Sequence, residues 1–376
     1  MSPFNERDPW GTPPWKIDFT PPEQPLPRAA DFAVVGAGFT GLAAAAWLRL
    51  LAPGKSVVVL EAGRIGAGAS GRTGGMALGE TAAGDFPDLG DVLGGVREIL
   101  AKLEVECDLS LPGAWEVGRS GGLEDSPIAW SDSGTLRVVN EVSGGTLDPG
   151  KLVSGLARSA HRLGAIVLEN RRVERIDWSG GANLHLADGK LRAGKVLLAT
   201  NALSLPLAGL DGGTHPRLTL AASTAPLGES QFEAIGLSRQ KPFYTVDFPY
   251  LWGRVCRDHS IVWGAGLVSP SESQGLEQID VAAPESTRMF ASLEHRIRHL
   301  HPALEKVRFT HCWGGPILFR DNWTPVFARH PASADGIVLG AYAGHGVALS
   351  SYLGVWAAEA LLGRRTLPEW GRIDSK

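Results

Sequence analysis

One stretch constrains this chain more than any other: Gly36-Ala37-Gly38-Phe39-Thr40-Gly41, preceded by Phe32-Ala33-Val34-Val35 and followed by an Ala- and Leu-rich segment to Leu51. A strand that runs straight into a helix must turn within a few residues. Glycine at 36 permits the turn, glycine at 38 lets backbone approach a diphosphate, and glycine at 41 lets helix and strand pack closely. A strand over residues 31–36, a helix over 39–51 and a second buried strand over 56–60 form the βαβ unit of a parallel sheet. Gly36, Gly38, Phe39, Thr40 and Gly41 are therefore candidate ligand contacts, at a helix end whose free N–H groups favour an anion. The pattern alone is weak, but Glu61 closes the second strand twenty residues after Gly41. A carboxylate there accepts hydrogen bonds from the ribose hydroxyls of a dinucleotide and repels a 2′-phosphate, which disfavours NADP. The alternative is a glycine-rich turn beside an ordinary surface glutamate.

A second glycine-rich segment, Gly68-Ala69-Ser70-Gly71-Arg72-Thr73-Gly74-Gly75-Met76, follows Glu61-Ala62-Gly63-Arg64-Ile65-Gly66 directly. Small residues at that density suggest backbone lying against a large flat ligand, with Arg72 available to phosphate or ring oxygens. This favours FAD over NAD; standing alone, the segment also fits a flexible loop. Ala62, Arg64, Ala69, Ser70, Arg72, Thr73, Gly74, Gly75 and Met76 join Glu61 as candidate cofactor contacts.

Farther on, residues 151–163 read as an amphipathic helix, and 165–168, 173–176, 195–199 and 337–341 as buried strands. Residues 217–309 change character to alternating, aromatic-rich strands, including 250–257 and 260–268, with one helix near 285–300. A last helix spans about 345–362 and stops at Gly363, with Arg364 and Arg365 suited to its C-terminal dipole. The fold class expected is α/β: a Rossmann-like cofactor domain of residues 31–90, 145–215 and 316–376, interleaved with an antiparallel-sheet substrate domain of 91–144 and 216–315. Residues 1–30 hold eight of the 25 prolines together with Trp10 and Trp15. Proline at that density blocks helix and sheet. The segment reads as an extended arm pinned by its tryptophans, the alternative being a disordered leader.

The 376 residues, 44% of them hydrophobic, suffice for a substantial core. A net charge of −4 without a long basic stripe argues against nucleic acid as a partner. The three cysteines, Cys107, Cys256 and Cys312, form no CxxC pair, so neither a disulfide framework nor a metal site is expected. No apolar run reaches the about 18 residues of a membrane span, and the first residues lack a secretion signal, so a cytoplasmic protein is expected.

Taken together, these motifs resemble the D-amino-acid-oxidase-like flavoenzymes, of the glycine and sarcosine oxidase type, with γ-glutamylputrescine oxidase nearest in motif. The matching pieces run in family order. They are Val34-Val35-Gly36-Ala37-Gly38-Phe39-Thr40-Gly41-Leu42, Leu60-Glu61-Ala62, the segment from Gly68 to Gly75, Leu147-Asp148-Pro149 and Leu198-Ala199-Thr200-Asn201-Ala202. Trp313-Gly314-Gly315, Asp321 with Pro325, and Gly344-His345-Gly346-Val347-Ala348-Leu349 complete the set. The resemblance implies non-covalent FAD, because Cys312 sits in no known attachment pattern. It implies that the Val173 backbone meets the adenine, and that Ala199-Thr200-Asn201 covers the ribityl and phosphate part. Gly314 and the helix start Gly344-His345-Gly346-Val347-Ala348 would face the flavin ring, where a helix N-terminus stabilises negative charge at N1/O2.

The implied reaction is loss of hydride from the α-carbon of a neutral amine or amino acid to flavin N5. The imine then hydrolyses, and O2 or another acceptor reoxidises the flavin; the protein supplies orientation and electrostatics. His345 is expected to orient the cofactor or shape the pocket rather than act as a base. Tyr250, Trp252 and Arg254 alternate on one expected strand and so share a face. Arg254 could clamp a carboxylate or phosphonate, or the face could pack on a helix with a solvent-facing arginine. Trp313, Tyr342, Arg320 and Trp323 flank the flavin-side motifs as pocket candidates. The spacing from Asp321 to Pro325 and the Thr73 position depart from the nearest relatives. A flavin-binding subunit without turnover and an NAD-dependent reductase remain rival readings, and the oligomeric state is not readable.

Overall fold

The computed structural model describes residues 8–210, 212–270 and 275–373. Residues 1–7 of the arm and 374–376 of the last cofactor-domain segment lie outside the described residues.

Val57–Leu60 is buried along its whole length, as a strand covered on both faces must be. It pairs in parallel with Ala29–Val35 on one side and with Ile166–Leu168 on the other. Ala29–Val35 also pairs in parallel with Gly189–Leu198, and that strand with Ser333–Gly340. The chain thus leaves the central strand on one side, through the helix Phe39–Leu51, and returns later on the other side. The strand order reverses where Val35 and Leu198 end side by side, and ligands bind in such a crevice. The approach there is so close that a Cβ on Gly36, whose φ is +104°, would lie 2.7 Å from the Ala199 carbonyl oxygen.

Two helices cross over this point. Phe39–Leu51 packs on the terminal helix Gly346–Leu361, which is buried nearly all round. Their backbones nearly touch: a Cβ on Gly354 would meet the Thr40 carbonyl oxygen at 2.6 Å. A second sheet orders Phe309–Arg320, Thr214–Thr224, Ile261–Val268, Trp252–Val255, Phe243–Thr245, Ala114–Gly118, Thr135–Val142 and Trp130–Ser131. The architecture is the α/β arrangement expected, with two corrections. The second sheet is mixed rather than purely antiparallel, because Phe243–Thr245 and Ala114–Gly118 run parallel. The helix Val92–Lys102, placed by sequence with the substrate domain, buries Val92, Val96, Ile99 and Leu100 in the same core as the two crossing helices.

Sheet boundaries differ where turn chemistry was overlooked. Gly189–Leu198 begins six residues earlier than expected, because Ala182–Leu186 folds back on it through the two-residue turn Ala187-Asp188. The strand from Trp252 to Val255 is shorter than expected and excludes Tyr250, which follows Pro249.

From Asp8 the proline-rich arm lies along the outside of the second glycine-rich segment. Gly11 bridges Trp313, the Gly314 N–H donates to the Trp10 carbonyl at 2.7 Å, and the Trp15 indole donates to the Gly71 carbonyl at 2.6 Å. Farther along, the Asp18 N–H donates to Ser154 Oγ at 2.7 Å.

Candidate active site

A cavity of about 920 Å³ opens at the crevice and reaches the second sheet, at the upper end of the range for small-molecule sites. At one end the N-cap residue of the helix Phe39–Leu51 is Gly38, which has no side chain to cap it, and the first turn holds no acidic residue, so the positive helix end still favours an anion. The two glycine-rich segments are tied together there: Phe39 N–H donates to Ser70 Oγ at 2.9 Å and Gly66 N–H to the Ala37 carbonyl at 2.9 Å. Glu61 accepts from the Ala37 N–H at 2.8 Å and from the Gly63 N–H at 2.9 Å. Burial raises the Glu61 pKa, opposed by those two backbone donors. Beyond these two bonds the carboxylate retains acceptor capacity toward the cavity it lines. Ala62, Arg171, Arg172, Val173 and Glu277 line the same end.

At the other end the terminal helix starts at Gly346 with His345 as its uncapped N-cap residue. Gly344, His345, Gly346, Val347 and Ser350 line the cavity beside Tyr342 and Trp313. Tyr342 and Thr40 hydroxyls are 2.8 Å apart, joining the two helix starts. The Trp313 indole donates to the Arg72 carbonyl at 2.8 Å. Burial lowers the His345 pKa, so the imidazole is neutral near neutral pH.

Of the residues expected at a ligand, Gly36, Gly38, Phe39, Thr40, Glu61, Ala62, Ala69, Ser70, Arg72, Thr73, Gly74, Met76, Val173, Ala199, Thr200, Asn201, Gly344, His345, Gly346 and Val347 line this one cavity, as do Tyr250, Trp313 and Tyr342. Gly41, Arg64, Gly75, Gly314, Ala348 and Arg254 do not. Gly41 is packed under the turn, where a Cβ would meet the Gly36 carbonyl oxygen at 1.9 Å. Arg64 faces a second, open cavity beneath the arm. Arg254 is buried, donates to the Gly74 carbonyl and stacks over Trp15; it is neither a clamp exposed to the cavity nor a solvent-facing arginine. The shared face is real for Trp252 and Arg254, but at position 254 the Thr73-Gly74-Gly75 loop covers it. The Arg72 guanidinium is likewise turned away, paired with Asp8 and donating to the Gly11 carbonyl at 2.7 Å.

Sequence reasoning missed the mouth of the cavity. Asp247, Phe248 and Pro249 line it, together with Arg296 from the helix Pro284–Leu300. Asp132, itself buried, accepts from Arg119 at 2.6 Å and from Arg296 Nε at 3.1 Å. Arg296 also donates to the Pro249 and Tyr250 carbonyls at 2.7 and 2.8 Å, and Arg119 pairs with Asp247. No sequence pattern links positions 119, 132, 247 and 296.

The sequence matches the family described as DAO, FAD dependent oxidoreductase, over residues 31–141 and 127–360. The chain belongs to this family. It is 27% identical to a probable oxidoreductase OrdL of Rhizobium meliloti, covering 92% of this chain and 86% of that protein. Identity to the γ-glutamylputrescine oxidoreductase of Escherichia coli is also 27%, over 89% and 84%. Among solved structures, glycine oxidase from Geobacillus kaustophilus superposes with a TM-score of 0.69 at 19% identity, covering 90% of this chain and 96% of that one. At that identity the likeness establishes the fold.

This oxidoreductase has a lining that suits FAD. Thr200 Oγ1, His345 Nδ1 and Ser350 Oγ are buried without a partner, and all three residues line the cavity. Buried polar atoms are rarely left so, and a ligand rich in acceptors and donors would satisfy them. The helix start at Phe39, the glycine cradle and the Glu61 carboxylate supply what a diphosphate and a ribose require.

Proposed function

We propose that this oxidoreductase oxidises the C–N bond of an amine or amino acid, with O2 as the final acceptor. The observation that carries the reading is the union, in one cavity, of a dinucleotide crevice with the uncapped helix start at His345 and the wall of the second sheet. Glu61 and the glycine turn would hold the adenosine and diphosphate, and Thr200, Asn201 and the Gly344–Val347 stretch the remainder, without a covalent bond. Bound FAD would supply the acceptor for a hydride, which carries both electrons of the oxidation.

The chain's own residues do the rest. The start of the terminal helix offers backbone N–H groups to a developing negative charge. Neutral His345 keeps a positive charge away from the substrate nitrogen. Trp252, Trp313 and Tyr342 form an apolar wall that excludes water while the C–H bond breaks. No lining group is asked to remove a proton, because the amine reacts as the free base. In sum, amine, O2 and water give an aldehyde or oxo acid, ammonia or a smaller amine, and hydrogen peroxide. The relatives named as γ-glutamylputrescine oxidoreductase and glycine oxidase support the substrate class.

An oxygen electrode with coupled peroxide detection tests this. Addition of a substrate amine should consume O2 and release peroxide in equal amounts. Flavin reduction by amine followed by reoxidation in air slower than turnover would assign the electrons to an acceptor other than oxygen. Failure of every amine, N-methyl amino acid and aminophosphonate tried to reduce the flavin would instead leave a flavin-binding subunit.

A further inference from the structure

We infer that the compound oxidised is an amine with an apolar or aromatic body and no carboxylate, its distal end resting on an exposed rim of Val246, Phe248, Tyr250, Leu267 and Trp323. This rests on the C–N oxidation reading and narrows it. Two independent features of the cavity carry it.

The first is the rim. Seven large hydrophobic residues are exposed among the described residues: Leu50, Leu123, Val246, Phe248, Tyr250, Leu267 and Trp323. All but Leu50 and Leu123 line the cavity. Phe248 is 90% exposed and Trp323 50%. Scattered exposed apolar residues need no cause, but a set gathered at one opening marks an apolar ligand or partner. The rim is continuous with the interior, where Trp252, Met289, Ile317 and Phe319 line the same space. A ligand reaching from the interior to the rim would bury both surfaces at once, and that continuity favours the substrate itself over a separate protein partner.

The second is charge. An α-carboxylate held in a water-poor site requires a matching cation, most effectively a guanidinium fork. The lysine and arginine side chains lining the cavity, among the described residues, are Arg72, Arg171, Arg172 and Arg296. Arg72 is paired with Asp8 on the arm side. Arg171 and Arg172 lie beside Glu61 at the crevice end and pair with Asp188 at 3.0 Å and Glu277 at 3.1 Å. Arg296 is held at the mouth by Asp132 and two backbone carbonyls. Asp247, the acidic residue on the substrate side, accepts from both the backbone and the side chain of Arg119. The substrate half therefore presents matched charges and apolar surface. A carboxylate brought there would lose its hydration without a free counter-ion. The neutral form of an amine loses far less.

The test is anaerobic mixing of the FAD-loaded enzyme with matched pairs that differ only by the carboxylate: 2-phenylethylamine against L- and D-phenylalanine, and benzylamine against phenylglycine. Flavin absorbance reports reduction. The amine of each pair should bleach the flavin at least about 100-fold faster at equal low concentration. An amino acid that bleaches as fast as its amine, or glycine or sarcosine bleaching where the aralkyl amines do not, would overturn the inference and leave C–N oxidation standing. No bleaching by the aralkyl amines overturns the inference in any case, and the C–N reading falls with it only where every other amine, N-methyl amino acid and aminophosphonate also leaves the flavin oxidised. Because Phe248 is 90% exposed, Phe248→Ala removes the most exposed of the five rim side chains without disturbing the core. It should raise half-saturation for 2-phenylethylamine by about tenfold, with little change for ethylamine and the effect on half-saturation rather than limiting rate. Equal half-saturation for 2-phenylethylamine in the variant and the parent would overturn the placement of the distal end.

Discussion

Arg72, Arg254 and Arg296 each lie on or near the cavity wall, and each has its charge or its donors engaged within the protein: by Asp8, by the Gly74 carbonyl and by Asp132. Sequence can show that an arginine is near a motif. It cannot show which carboxylate, a hundred residues away, has already taken it. Glu61 was legible because its partner is local: it stands at the end of a strand paired to the strand before the glycine turn. His345 has a consequence for stability. Burial lowers its pKa from 6.5 in the folded chain, so the unfolded chain takes up the proton first as pH falls. Stability is fully present above 6.5 and is lost below it, by at most about 1.4 kcal/mol per pH unit. His311 and His330 shift in the same direction, also through burial. Thermal midpoints should therefore fall on acidification from about pH 7 to 5. His345→Asn should show a shallower fall than the parent; identical slopes would mean that His345 is not held neutral by burial.

At the scale of elements, strong periodic segments were readable and interrupted ones were not. Phe39–Leu51 has the bounds expected from sequence, because an Ala- and Leu-rich run follows a glycine turn. Val92–Lys102 was missed although Val92, Val96, Ile99 and Leu100 recur at helical spacing. Gly94 and Gly95 interrupt that helix, and such residues weaken any helix assignment. Gly95 is there because a Cβ would meet the Tyr352 ring of the terminal helix at 2.3 Å, a tertiary reason invisible in the segment itself. The arm illustrates an element with no regular structure and a definite position. It contacts two residues of the cavity wall, Arg72 and Trp313, and, through Trp15, Gly71 beside them. Asp8→Asn would leave Arg72 buried without its carboxylate. We expect FAD affinity of the apoprotein to fall by about tenfold, as for one lost charge-assisted hydrogen bond, in a fluorescence titration with FAD. An unchanged affinity would confine the arm to a role in folding.

For the whole molecule, the two sheets divide the work that one cavity combines. The parallel strands of the first sheet end at the crevice between Val35 and Leu198, and the second sheet with the loops beside it supplies the apolar wall and rim. The first half follows from local rules of strand, turn and helix, and so the crevice and the residues that line it are legible in the sequence. The second half depends on strands that meet across long stretches of chain, as Thr214–Thr224 does with Phe309–Arg320, and the rim gathers residues from three separate segments. The proposed chemistry requires FAD to bind in the crevice closed by Glu61. The most direct measurement is the flavin content of purified Glu61→Arg beside the parent, with circular dichroism to confirm the fold. About one FAD per chain is expected in the parent, and a colourless, folded variant, since an arginine there removes the acceptor for the ribose hydroxyls. A folded variant that keeps a full complement of FAD would contradict that placement.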